Sequence, residues 1–269
     1  MRTLHKKATF IRAQTLKAIH AARSGHPGGS LSIADILAVL YFDEMSIDPR
    51  NPDWPERDRF VLSKGHACPA YYSALAARGY FSPEEVLSLR KIDGGMEGHP
   101  CIDIPGVDAV SGSLGMGLSQ AIGMALGAKY LGKTYRTYVI LGDGDMQEGN
   151  TWEAFMLAPH KKLDNLVAIY DSNKLQGDAT VKQQLDMSDI GTKLRAFDWH
   201  VITIDGHDIG AIKASLKTAS SIKNQPTFIL AETVKGKGVS FMEGQLSWHG
   251  SVTMTNEQLS NSLNELEKE

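Results

Sequence analysis

The sequence predicts an α/β fold, a doubly wound, mainly parallel sheet with helices on both faces. Short apolar, β-branched runs recur along the chain, at Phe60-Val61-Leu62, Val139-Ile140-Leu141, residues 166–170, Val201-Ile202-Thr203-Ile204 and residues 227–231. Helical stretches separate them, and that alternation is the pattern of βαβ units. Several of the runs stop at glycine or aspartate. Polar groups therefore collect at the carboxyl ends of the strands, where open parallel sheets bind ligands.

At 269 residues the chain can bury a substantial core as one large α/β domain. The 28 basic and 31 acidic residues nearly balance, and no basic or aromatic-basic patch points to nucleic acid, although local dipoles can still draw small anions. A metabolite or a protein is the expected partner. Cys68 and Cys101 are far apart, which gives neither a zinc framework nor a disulfide scaffold. Residues 1–7 are charged without an apolar signal region, and no run approaches membrane-spanning length, so a soluble, cytoplasmic protein without a membrane partner is expected.

Residues 4–22 read as an amphipathic helix, with apolar Ala8, Ile11, Leu16 and Ile19 recurring among charged residues. The following Ser24-Gly25-His26-Pro27-Gly28-Gly29-Ser30 is too rich in glycine and proline for a helix, and as a turn it leaves His26 facing solvent or a bound anion. A helical pattern resumes over 32–41. The next strand ends in Ser63-Lys64-Gly65-His66, whose Lys64 and His66 are loop residues or ligands on this evidence. Residues 71–79 read as helical, and Ser82-Pro83-Glu84-Glu85 as the start of another helix, with a serine cap and first-turn acids. His99 sits in a Gly/Pro loop, Gly98-His99-Pro100. Gly112-Ser113-Leu114-Gly115 then precedes a long helix through Leu131 whose first amides could hold phosphate and whose Gly123 and Gly127 suggest contacts between helices.

Asn150-Thr151-Trp152 opens the helix between the second and third strands. Residues 176–192 are polar and irregular, suited to a lid or a subunit-facing loop. The fourth strand ends at Asp205-Gly206-His207-Asp208, a helix covers 209–220, and the fifth strand runs into Val234-Lys235-Gly236-Lys237-Gly238. His249 lies in the nonhelical Ser247-Trp248-His249-Gly250. The acidic helix 256–269 reads as a solvated terminus.

The chemistry concentrates at Gly142-Asp143-Gly144 and, after 28 intervening residues, Asn173-Lys174-Leu175. A parallel βαβ unit brings these strand ends to one rim of the sheet. A carboxylate, an amide oxygen and a main-chain carbonyl suit a hard cation such as Mg²⁺, whose other ligands are water and phosphate oxygens. Imidazoles in four separate loops, His26, His66, His99 and His249, add donors and acceptors for a polyhydroxylated substrate. Their reference pKa of about 6.5 puts proton transfer in either direction within reach near neutral pH.

This spacing resembles the thiamine-diphosphate fingerprint, and Gly142-Asp143-Gly144-Asp145-Met146-Gln147-Glu148-Gly149 looks like its transketolase version. The resemblance extends over nearly the whole chain through Ser24-Gly25-His26-Pro27-Gly28, residues 57–67, Gly98-His99-Pro100, Gly112-Ser113-Leu114-Gly115 and His249-Gly250. It implies a thiamine-diphosphate-binding fold, with residues 1–269 as one diphosphate-binding domain carrying an N-terminal helical extension and a C-terminal helical tail. The cofactors it implies are thiamine diphosphate and Mg²⁺. By this resemblance Asp143 and Asn173 ligate the metal through side chains and Leu175 through its carbonyl. His66 and His249 contact the diphosphate, Gly144 touches it, and Gly112, Ser113 and Leu114 form a cofactor loop, with Asn173 also counted among the cofactor residues. His26, His99 and His249 face donor or acceptor. Glu148 matches an acid near the subunit boundary of the family, or else simply caps or pairs at a helix start.

The resemblance implies transfer of a two-carbon ketol unit from a ketose to an aldose, within carbohydrate metabolism of the pentose phosphate kind, on sugar phosphates. The sequence stops after the diphosphate-binding region, so the expectation is the N-terminal subunit of a split transketolase. A separate C-terminal subunit would supply the pyrimidine-binding domain, in a two-by-two heterotetramer. Ser113 replaces a proline common in the family loop. Alternatives are a subunit like the 2-oxoacid dehydrogenase E1 or deoxyxylulose-phosphate synthase, or a noncatalytic cofactor-binding assembly subunit.

Overall fold

The computed structural model describes residues 1–268. Five strands make one sheet: β1 (Arg59–Leu62), β2 (Thr137–Gly142), β3 (Leu166–Ser172), β6 (His200–Asp205) and β7 (Thr227–Glu232). Their order is β1-β2-β3-β7-β6 and every pairing is parallel. A two-residue antiparallel pair, β4 (Leu175–Gln176) with β5 (Ala179–Thr180), stands apart from the sheet.

Strand periodicity divides the core into two layers. Phe60, Leu62, Tyr138, Ile140, Val167, Ile169 and Ile229 point to one face, where they pack with α1 (Arg2–Ala22), α3 (Ala34–Val39), α4 (Cys68–Arg78) and α9 (Ile209–Ser221). Val61, Val139, Leu141, Ala168, Tyr170 and Phe228 point to the other, against α5 (Gly117–Tyr130), α6 (Gly149–His160) and α8 (Ile190–Ala196). Burial on both sides explains why these strands are continuously apolar in sequence. The doubly wound expectation holds.

Several local expectations are corrected. Residues 24–30 are not wholly turn: Pro27–Leu31 is a short helix, α2, started by Pro27 in its first turn and fully buried. Proline's fixed φ suits a first helical position, and packing overrides the low helix propensity of Gly28 and Gly29. The helix expected from Ser82 shrinks to a single 3₁₀ turn, Glu85–Ser88, although the Glu85 carboxylate does accept from the Ser82 N–H at 2.7 Å. Gly123 contacts no neighbouring helix and is exposed, while Ala121, Ala125 and Ala128 form the packed face of α5. Gly127 would meet only the Tyr135 hydroxyl, at 3.8 Å. The 176–192 segment is not irregular throughout, because it holds β5, the one-turn helix α7 (Val181–Gln184) with its Thr180 capping box, and the start of α8.

The last helix, α10 (Asn256–Leu266), is not merely solvated. It lies on α1 and buries Ser262 and Leu266. Glu269, the expected end of that helix, lies outside the described residues. Among the described residues no helix is long and apolar enough to cross a membrane.

Candidate cofactor and active site

The parallel register of β2 and β3 sets Gly142 beside Asp171, so the next residues of both strands emerge at the same edge. β1 delivers Ser63-Lys64-Gly65-His66 to that edge and β7 delivers Thr233 to Lys235. A cavity of about 350 Å³ opens there, reached by Asp143, Gly144, Asn173 and Leu175 from the central strands. A neighbouring cavity of about 380 Å³ shares Asp143 and Leu175 but is walled by Tyr170, Met187, Ile190 and Leu230 and contains no histidine. The imidazoles mark the first cavity as the chemical one.

Asp143 is buried, and its Oδ1 accepts from the Tyr170 hydroxyl at 2.6 Å. Its Oδ2 is also buried and has no hydrogen-bond partner. Burial pushes the Asp143 carboxyl up to about 6, and nearby Asp171 adds to the rise against the Tyr170 bond and the charges of Lys64 and Lys235. Asn173 donates through Nδ2 to Asp171 Oδ2 at 3.0 Å, which fixes the orientation of the amide; its Oδ1 accepts from the Leu175 N–H at 3.2 Å. Lys174 between them takes a left-handed φ of 67°, turning the chain sharply at the strand end. An orphaned carboxylate oxygen, an oriented amide oxygen and a main-chain carbonyl at one cavity are a donor set that fits a hard divalent cation.

Sequence reasoning left Lys64 open between loop residue and ligand and gave Lys235 no role, and both lysines lie behind this set. Lys64 is fully buried, pairs with Asp171 and donates to the Gly29 carbonyl at 2.8 Å. Burial alone would raise the Asp171 carboxyl, but the Lys64 charge and the bonds from Lys64, Thr233 and Ser32 outweigh it and hold Asp171 below the usual range. Lys235 Nζ bridges the Leu175 carbonyl at 3.0 Å and His249 Nδ1 at 2.7 Å. Burial, helped by the Lys64 charge, pushes Lys235 down to about 8. The available signal was position: Lys64 immediately precedes Gly65-His66, and Lys235 follows an apolar strand within a run of glycines.

Three imidazoles form a triangle, with ring centres 5.1 Å apart for His26 and His66, 5.5 Å for His66 and His249, and 5.8 Å for His26 and His249. His99 joins them on the cavity wall, its ring against Gly112. Gly112 has φ 151°, and a Cβ there would stand 3.2 Å from the His99 ring, so a bare backbone is what fits the loop between histidine and cavity. Burial drives His26 and His249 down to about 4, reinforced at His26 first by Arg90 and at His249 first by Lys235. His66 and His99 are lowered too, by burial first and then by Lys64 and Arg90 respectively. The expectation of ready proton transfer in both directions is therefore corrected. These rings are neutral near pH 7, each offering one N–H donor and one acceptor nitrogen.

Asp145 ties the 112–115 loop to the strand end. Its Oδ1 accepts from Ser63 Oγ at 2.6 Å and the Gly115 N–H at 2.8 Å, and its Oδ2 from the Gly142 N–H at 2.8 Å. Gly112 and Leu114 consequently reach the cavity with Gly144, whereas Ser113 is exposed and its side chain does not line it. Glu148 also stands apart. It is exposed at the N-cap position of α6 and makes no side-chain cap, so the simple capping role is not realised.

The family model for the transketolase thiamine diphosphate binding domain matches residues 4–264. The chain is 45% identical over 269 residues to a 6-deoxy-6-sulfo-D-fructose transketolase subunit from a Clostridium species, covering 99% of this chain and 97% of that one. It is 37% identical over 273 residues to an apulose-4-phosphate transketolase subunit from Phocaeicola vulgatus, covering 99% and 97%. The transketolase crystal structure from Campylobacter jejuni superposes with a TM-score of 0.94 at 34% identity, over 99% of this chain but only 43% of that one. Family model, sequence identity and fold agree, and the chain belongs to the transketolase thiamine diphosphate binding domain family.

Proposed function

We propose that this chain is the cofactor-holding subunit of a two-chain transketolase that moves a two-carbon ketol unit from a ketose donor to an aldose acceptor. The observation that carries the reading is the unpaired, buried Oδ2 of Asp143, a residue that lines the same cavity as a triangle of neutral imidazoles. Asp143, Asn173 and the Leu175 carbonyl would hold Mg²⁺. His66, His249 and Gly144 would hold the diphosphate of thiamine diphosphate, and the Gly112-Ser113-Leu114 loop would contact the cofactor, Ser113 through its backbone alone. When bound, the cofactor supplies a nucleophilic carbon and an electron sink for breaking and remaking a C–C bond.

This chain's residues supply binding and orientation. His26, His99 and His249 would hydrogen-bond to the hydroxyls and the carbonyl oxygen of the sugar, and as neutral rings they can do so without placing a full positive charge beside the lysines. Lys64 and Lys235 would offset the negative charge of the diphosphate and metal site.

Two relatives covered over 97% of their own length are named as subunits, which supports a separate partner chain. A two-by-two heterotetramer, with Glu148 near the boundary between chains, is the assembly proposed; the exposure of Glu148 supports that position. Those relatives are named for a sulfo-sugar and a sugar phosphate, so the proposed substrates are sugars with an anionic tail. A cytoplasmic setting and a role in pentose phosphate metabolism belong to the same proposal.

The test is to purify the chain with the product of its neighbouring gene, load thiamine diphosphate and Mg²⁺, and follow ketol transfer between a ketose phosphate and an aldose phosphate. Transfer that requires both chains supports the reading. A stable, cofactor-loaded pair inactive towards sugar phosphates and sulfo-sugars alike would sink it.

A further inference from the structure

Arg90 lies behind the imidazole cluster in a backbone conformation that disfavours its own residue type. Its φ is 57°, in the left-handed region, and its N–H donates to the Met96 carbonyl at 2.8 Å. Glycine would take that conformation without strain. The neighbouring loop makes room for the side chain instead: a Cβ on Gly98 would stand 2.8 Å from Arg90 Nε. Both features favour a guanidinium held in one place. Nη1 donates to Ser24 Oγ at 2.7 Å and Nη2 approaches His26 Nδ1 at 3.3 Å.

A guanidinium carries five N–H donors and no acceptor. His26 Nδ1 must therefore accept, and the single proton of the neutral ring sits on Nε2. With Nδ1 turned to Arg90, the Nε2 edge lies alongside Gly250 and is the one left for the cavity. The arrangement recurs at His249, where the Lys235 ammonium, also a donor only, approaches Nδ1 at 2.7 Å. Two cations thus stand behind two imidazoles on the same side of each ring.

We propose that Arg90 is a positioning residue: its bond to Nδ1 fixes His26 as the Nε2–H tautomer and presents that N–H to the cavity as a hydrogen-bond donor for a sugar oxygen. The tautomer follows from geometry alone. That the N–H meets a sugar rests on the transketolase reading.

Imidazole ¹⁵N spectra of the full chain, labelled at histidine, test it without the partner. His26 is expected to carry its proton on Nε2 alone, Arg90→Met to convert it to a mixture of tautomers, and Arg90→Lys to restore the single form. Arg90→Gly, whose backbone suits φ 57°, separates loss of the guanidinium from damage to the fold, and thermal melts run beside the spectra check that the variants stay folded. In the assembled enzyme Arg90→Met should lower kcat about tenfold, with Arg90→Lys recovering most of it. A proton on Nδ1 in the unsubstituted chain, or a tautomer unchanged in Arg90→Met and Arg90→Gly, overturns the assignment. A changed tautomer with unchanged turnover overturns the positioning role. Failure of the unsubstituted pair to transfer a ketol unit would count against the functional reading alone, because the spectra decide the tautomer independently.

Discussion

The Tyr170 hydroxyl donates to Asp143 Oδ1 at 2.6 Å and leaves Oδ2 of the same carboxylate buried and without a partner. The asymmetry separates two tasks. One oxygen is spent on orientation, since a short bond from a buried phenol fixes the carboxylate plane. The other is held ready for a ligand, at a cost to the empty protein, because a buried polar atom without a partner loses its solvation and gains nothing in return.

Asp143→Asn should therefore stabilise the ligand-free chain. Asparagine can still accept the Tyr170 bond through its carbonyl, while its NH2 takes the unpaired place of Oδ2, so the gain comes from removing a charge that burial disfavours and is expected to be about 1–3 kcal/mol near neutral pH. The same change should abolish the Mg²⁺-dependent rise in melting temperature that thiamine diphosphate gives the unsubstituted chain, a rise worth roughly 2.7 kcal/mol at a hundredfold excess over Kd. Thermal melts with and without cofactor and metal read both effects. If Asp143→Asn retains a full metal-dependent shift, Asp143 is not a ligand.

Tyr170→Phe asks the complementary question. It keeps the ring in the core beside Phe228 but frees Oδ1, leaving both carboxylate oxygens unpaired. The ligand-free chain should lose about 1–2 kcal/mol. Metal affinity should weaken about tenfold through lost orientation, as outer-shell changes commonly do. Calorimetric titration of Mg²⁺ in the presence of thiamine diphosphate measures the second effect, and equal affinities would remove the orienting role.

The sheet and the metal-side residues were legible in the sequence for different reasons. Strands such as β2 and β3 are covered on both faces, so burial writes them as unbroken apolar runs. Asp143 and Asn173 were readable as a candidate pair because each directly follows an apolar strand, and parallel neighbours end side by side. Lys64 was not, since its partner Asp171 is 107 positions away and only the folded sheet brings them together. Arg90 was hidden for the same reason, 64 positions from His26. The short helix α2 escaped because Gly28 and Gly29 are chosen for close approach to Lys235 and Lys64, a tertiary demand that local propensity does not express.

Lys64→Met should be among the most damaging substitutions in the site. Lys64 and Asp171 are both fully buried, and removing the cation leaves a carboxylate supported only by neutral donors from Ser32, Asn173 and Thr233. Breaking such a pair costs about 3–5 kcal/mol, whereas removing both charges costs much less. Urea denaturation of Lys64→Met, Asp171→Asn and the double variant forms a cycle. The double variant should be more stable than Lys64→Met alone, and a strictly additive cycle would show that the two side chains do not act as a pair.

The histidines predict how stability depends on pH. His26 and His249 titrate at about 4 in the folded chain against 6.5 in the unfolded one, so as pH falls below 6.5 the unfolded state takes up protons first. Stability should then decline between pH 6.5 and about 4. Asp143 acts in the opposite sense over pH 6 to 3.8, because its folded carboxyl, raised to about 6, takes up a proton before the unfolded one does. Asp171 is held low, so the stability it contributes is lost only below 3.8 and lies outside this window. Urea midpoints between about pH 7 and 4.5 should fall for the unsubstituted chain, fall less for His26→Asn combined with His249→Asn, and fall more steeply for Asp143→Asn. Identical pH profiles in all three proteins would mean that the imidazoles are not held neutral by burial and the neighbouring cations, and the account of them as uncharged donors would fail with it.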